Sequence, residues 1–69
     1  MKTTRQRLLQ VLTAVQNTDK FEHQDIMTFA GFMSDDELPE YIWQRFELLP
    51  ATDKAHVLEV ARTNLVEAA

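Results

Sequence analysis

Apolar residues recur at intervals of three and four along almost the whole chain, and the rhythm breaks mainly at Asn17-Thr18-Asp19, Gly31 and Pro50. Such spacing builds amphipathic helices, because side chains three and four apart share one face. With one glycine and two prolines as punctuation, four helical segments can be drawn. The expected fold is all-α: a single compact domain over residues 1–69, made of about four short helices.

The first segment runs from Thr3 or Thr4 to Gln16, with Leu8, Val11, Leu12 and Val15 as its stripe and Leu9 at the edge. The second runs roughly from Glu22 to Phe32. Ile26, Phe29, Ala30 and Met33 share its face, while Phe21 and Phe32 fall away from it. Gly31 suits a C-terminal cap, where a positive φ costs least. The third is placed at about residues 35–49, and Pro50 helps to end it. Leu38, Ile42, Phe46 and Leu49 form its stripe, Tyr41 and Leu48 widen it, and Trp43 lies on the opposite flank. That arc is too wide for a helix that packs on one side only. Helix three is therefore expected at the centre of the bundle, or in contact with another molecule. The fourth runs from about Thr52, as its cap, to Glu67. Leu58, Ala61 and Leu65 read as its core stripe, with Val57 and Val60 as a second, weaker strip.

The stretch FAGFMSDDELPEYIW, Phe29 to Trp43, sets a block of acid among aromatic residues. Ser34 and Glu37 have capping-box spacing, and Met33 with Leu38 has the spacing of a hydrophobic staple. Asp35, Asp36 and Glu37 fall where the positive end of a helix dipole favours acids. Pro39 must lie in the first turn, since farther in it would remove a hydrogen bond and clash with the preceding turn. That favours a cap at Asp35 or Asp36 over Ser34, or a distorted first turn. Local structure accounts for most of the acid without a ligand.

Composition narrows the function classes. A chain of 69 residues buries only ~60% of the surface its unfolded form exposes, so its stability is thin. It has no cysteine, which removes a disulfide scaffold and fits a reducing compartment. Its two histidines are too few for a typical four-ligand zinc site. No apolar run approaches the ~18 residues a membrane span needs. The start MKTTRQRLLQVLTAV has the charge of a signal peptide, but Gln10 and Thr13 break its apolar part, so a structural helix and a cytoplasmic protein are expected. Beginning at Met1, the chain is expected to be a complete small gene product.

The net charge of −4 is unevenly placed: residues 21–40 hold six acids and no Lys or Arg. A helix-turn-helix DNA regulator is the first alternative, built on short helices two and three. It is disfavoured because the recognition helix would open with Asp35, Asp36, Glu37 and Glu40, where base and phosphate contacts want donors. Lys2, Arg5 and Arg7 in helix one form the basic patch such binding would use. The acid could also mimic a nucleic acid before a basic cleft, but it clusters at one helix start instead of tracking a groove. No Gly-rich phosphate loop, calcium loop or Ser-His-Asp constellation is visible. Hence no enzyme, no cofactor and no metal site are expected.

Protein docking remains. Trp43 lies off the main stripe, Tyr41 at its edge, and Arg45 between them in helical projection. Trp, Tyr and Arg are the types enriched at interface hot spots. The expected surface has Tyr41, Trp43 and Arg45 as anchors and Asp35, Asp36, Glu37 and Glu40 as an electrostatic rim. It would dock on a larger, basic-surfaced protein. Assembly into a homodimer or a homo-oligomeric structural protein is the further alternative.

Overall fold

Five residues of the first helix, Leu8, Val11, Leu12, Ala14 and Val15, are buried, with Leu12 and Val15 wholly so. At about 100° per residue they cover an arc of roughly 160°, wide enough to receive several neighbours. A computed structural model, which describes residues 2–66, shows the consequence. The fold is all-α: α1 (Thr4–Gln16), α2 (Ile26–Gly31), α3 (Leu38–Phe46) and α4 (Ala51–Ala61), with a 3₁₀ turn at Asp19–Phe21 and a π turn at Arg62–Val66. The principal contacts of α2, α3 and α4 with one another's layer all run through α1. The centre is thus helix one, not helix three. The reason is breadth: α3 buries only Leu38 and Ile42 within its helical span, too narrow a strip to serve as a hub.

The Cα trace is only 16 Å thick along its shortest axis. Helix axes pack about 8–10 Å apart, so that thickness holds two layers. One is α1 and the other is what lies on it. The outer faces of α2, α3 and α4 therefore have no third layer over them, and Phe29, Phe32, Trp43, Leu48, Leu58 and Leu65 are exposed.

Boundaries follow caps. Thr3 closes α1 with a reciprocal capping box: its Oγ1 accepts from the Gln6 amide at 3.1 Å, and its own amide donates to Gln6 Oε1 at 2.8 Å. This satisfies two donors that the helix start leaves open. The second helix begins at Ile26 instead of Glu22, because Asp25 caps it by accepting from the Thr28 amide at 3.1 Å and hydroxyl at 2.6 Å. Phe21, expected to fall away, is in the 3₁₀ turn and buried. Gly31 does not adopt a positive φ, and nor does any other described residue; the helix ends in ordinary right-handed backbone at Phe32. Phe29, expected on the core face of this helix, is exposed.

Helix three is shorter than residues 35–49. Ser34 to Glu37 forms a separate turn, in which the Glu37 and Leu38 amides donate to the Ser34 carbonyl at 3.1 and 3.2 Å. The helix then opens at Leu38 with Pro39 in its first turn, and its cap position is Glu37, not the expected Asp35 or Asp36. Pro39 is thus inside the first turn as expected, and the boundary moves because the proline sets it. At the other end the Leu48 and Leu49 amides bond to residues three back, Arg45 and Phe46, tightening the chain out of α geometry. Leu49 is buried from that turn.

Helix four starts at Ala51 with Pro50 as cap, and no side chain caps it, so Thr52 does not have the expected role. Its core face is also turned. Val57 is buried and Val60 and Ala61 are partly so, whereas Leu58 and Leu65 are exposed. The strip read as weaker is the one that meets α1. The expected end at Glu67 lies outside the described residues.

Candidate functional site

The turned face of α4 and the shortened α3 leave a groove between them. Leu8 and Val11 of α1 form its floor. Pro39, Ile42, Trp43 and Phe46 line the α3 wall, and Val57, Leu58, Ala61 and Leu65 the opposite one. Every lining residue is apolar. The space is about 210 Å³, below the ~300–1,000 Å³ of ordinary small-molecule sites, and suited to a few inserted side chains.

The lips are the exposed residues. Trp43 retains 52% of its accessible surface and Leu58 retains 55%, so both are available to a partner while anchored at one edge. The Trp43 and Phe46 rings stack, with centroids 5.4 Å apart and planes 25° from parallel. Such offset pairs hold an aromatic surface in one orientation. Lys54 of α4 reaches toward α3, its Nζ 5.8 Å from the Phe46 ring centroid.

Tyr41 and Arg45 do not join Trp43. They lie on the other flank of α3, where the Arg45 guanidinium sits 4.3 Å above the Tyr41 ring. Together they line a separate recess of about 340 Å³ with Gln24, Asp25, Ile26 and Phe29. Arg45 is therefore not between the two aromatic residues but stacked on one of them. The expected set of three anchors is divided between two surfaces.

The acidic residues also divide. Asp35 Oδ1 accepts from Arg5 Nη1 at 3.0 Å. Glu37 folds back on the preceding turn, its Oε1 accepting from both the amide and the hydroxyl of Ser34 at 3.0 Å. These bonds, the backbone one foremost, hold the Glu37 carboxyl below its ordinary value. Asp25 is lowered in the same direction, first by the Thr28 hydroxyl and then by the Thr28 amide. Glu40 accepts from Gln44 at 3.3 Å, and Asp36 is exposed. Two of the four expected rim acids thus have partners across a turn or another helix.

Two polar side chains of α1 tie the chain that follows it: Arg5, read in the sequence only as part of a basic patch, and Gln16, which the sequence reading did not single out. Arg5 donates to the carbonyls of Met33 at 2.8 Å, Ala30 at 3.0 Å and Gly31 at 3.4 Å. A guanidinium there meets the negative end of α2 and ties the following turn to α1. Gln16 donates from Nε2 to the Phe21 and Gln24 carbonyls at 2.8 and 2.7 Å, and its Oε1 accepts from the Ile26 amide at 2.9 Å. It closes the loop between α1 and α2. Leu8, Val11, Pro39, Leu58 and Leu65 were also missed as lining residues. The wide apolar arc of helix three and the double strip of helix four were the available signals.

Among the described residues, no group of three or more His, Cys, Asp or Glu is placed to hold a metal ion, and no helix is long and apolar enough to cross a membrane. No protein-family model matches the chain, and no curated protein or solved structure matches it.

Proposed function

We propose that this chain is a non-enzymatic protein-binding module, acting in the cytoplasm, whose working surface is the apolar groove between α3 and α4. The observation that carries the reading is the pair of lips: Trp43 and Leu58, each more than half exposed, on opposite walls of a groove lined only by apolar side chains. Exposed apolar clusters of this kind mark interaction sites more often than scattered surface leucines do. The shape fits the helix-in-groove mode, in which an amphipathic helix lays its apolar face into a hydrophobic channel. Nothing in the lining can act as nucleophile, acid or base, which favours binding over catalysis.

This moves the docking site. Trp43 keeps its place as anchor and Leu58 joins it, while Tyr41 and Arg45 face elsewhere and the acids at Asp35 and Glu37 have internal partners. A basic-surfaced protein partner would meet Glu40 and Glu47 beside the Trp43 lip, not the Ser34–Glu37 turn. The DNA-regulator alternative relied on Lys2, Arg5 and Arg7; engagement of Arg5 by three carbonyls and Asp35 speaks against it.

The test is site-specific photo-crosslinking in the cells that express the chain. Benzoyl-phenylalanine at position 58 is expected to capture a polypeptide, and the same group at the exposed position 10 is not. Trp43→Ala should abolish the position-58 product while helical circular dichroism is unchanged. Equal products from both positions, or none from position 58, would reject the groove as a docking site.

A further inference from the structure

Arg45 is half-buried, yet among the described residues its guanidinium makes no ion pair and no hydrogen bond. What it touches is the Tyr41 ring, four residues back on α3, whose centroid lies 4.3 Å from its Cζ. A cation held over an aromatic face is restrained in place, while the N–H donors of its planar fork stay open. Arg5 is the contrast: its donors are taken by three carbonyls and a carboxylate.

The recess that Arg45 lines brings these open donors together with apolar surface. Tyr41 and Arg45 enter it from α3, and Gln24, Asp25, Ile26 and Phe29 from the start of α2. Ile26 is buried, whereas Phe29 keeps 65% of its surface exposed. The α2 side is fixed twice. Gln16 holds the Gln24 carbonyl and the Ile26 amide from α1, and Asp25 caps the helix through the Thr28 amide and hydroxyl. At about 340 Å³, the recess falls within the ~300–1,000 Å³ of ordinary small-molecule sites. The groove between α3 and α4 does not.

We propose that this recess is a second binding site, separate from the groove, for a small monocarboxylate that carries one aromatic ring. The carboxylate meets the Arg45 guanidinium, whose fork matches two planar oxygens in a bidentate pair. The ring lies against Phe29 and Tyr41, where aromatic packing adds to the burial of apolar surface. Asp25 limits the charge. Its carboxylate lines the same recess, and no second cation does. One negative charge on the ligand is balanced by Arg45, but a dianion such as a phosphate monoester would meet uncompensated like-charge repulsion.

The experiment is an NMR titration of the full chain, labelled with nitrogen-15, against four probes at neutral pH. 3-Phenylpropionate has both groups, 3-phenylpropanamide lacks the charge, propionate lacks the ring, and phenyl phosphate replaces the carboxylate by a dianion. 3-Phenylpropionate is expected to shift the amides of residues 24–29 and 41–45, with a Kd on the order of 1 mM for a ligand of so few atoms. The other three should bind at least ~10-fold more weakly, having lost the ion pair, the ring contact or the charge match. Arg45→Gln should weaken 3-phenylpropionate to the same extent and leave the remaining spectrum unchanged. Phe29→Ala, at an exposed position, should weaken it several-fold. The comparison of acid with amide uses the wild-type chain, so it decides the matter even where a substitution disturbs the fold. Equal binding of acid and amide would overturn the proposal, as would tighter binding of phenyl phosphate. Shifts centred on Trp43 and Leu58, or no shift at any soluble concentration, would overturn it too.

Discussion

The Arg5 guanidinium donates to the Met33 carbonyl at 2.8 Å, joining residues 28 apart in sequence. The same group holds the Ala30 and Gly31 carbonyls and the Asp35 carboxylate. One side chain therefore fixes the end of α2, the turn that follows it, and the approach to α3. That approach sets where Pro39 and Trp43 stand at the groove.

Removing this cation should cost more than removing its visible ion-pair partner. Arg5→Met leaves carbonyls without their donor, and we expect a loss of about 1–3 kcal/mol in urea denaturation. Asp35→Asn removes only a pair whose carboxylate side is 60% exposed, for which ~0–1 kcal/mol is typical. Equal losses from both would mean that the ion pair, not the carbonyl cage, holds the turn.

Gln16 offers a second test of long-range polar positioning. Gln16→Glu keeps the acceptor for the Ile26 amide but sets a carboxylate against the Phe21 and Gln24 carbonyls. A destabilisation of roughly 1–3 kcal/mol is expected at neutral pH, with faster hydrogen exchange at residues 21–26. Unchanged exchange there would show that the loop holds itself without the amide.

Gly31 should be improvable. It has no positive φ, and a Cβ built on it meets nothing within 4 Å. Gly31→Ala should therefore stabilise by about 0.4–1 kcal/mol, through a less flexible unfolded chain and better helix propensity. A lower melting temperature would contradict the backbone described at the end of α2.

Acid should act on two caps. Asp25 and Glu37 are both held below their ordinary values of 3.8 and 4.5 by their hydrogen bonds. A depressed carboxylate contributes stability that is full above the unfolded-state value and is lost as pH falls through the folded-state value. The stability gap between wild type and an Asp25→Ala/Glu37→Ala double variant should be widest at neutral pH and close on acidification below those ordinary values. A gap that stays constant down to the acid transition would assign the caps a role independent of charge.

Much of the local structure can be read from particular residues, and the errors share one cause. The Leu8, Val11, Leu12 and Val15 stripe is buried as its spacing indicates, and Pro39 does sit in a first turn. Helix four shows the failure: periodicity finds both of its apolar strips but cannot say which one meets α1. Choosing Leu58 over Val57 reversed inside and outside, and with them the groove wall. Grouping Trp43 with Tyr41 and Arg45 failed similarly, since neighbours in sequence stand on opposite flanks of α3.

By itself the sequence determined the helical class, the breaks near Asn17 and Pro50, and the position of the proline within its turn. These follow from backbone sterics and side-chain period, which act over a few residues. Only the tertiary structure decided that α1 is the hub, that Arg5 and Gln16 close distant turns, and that Trp43 and Leu58 face one another. Those outcomes depend on which apolar strips meet when the helices pack, and on carbonyls left open at helix ends finding donors many residues away.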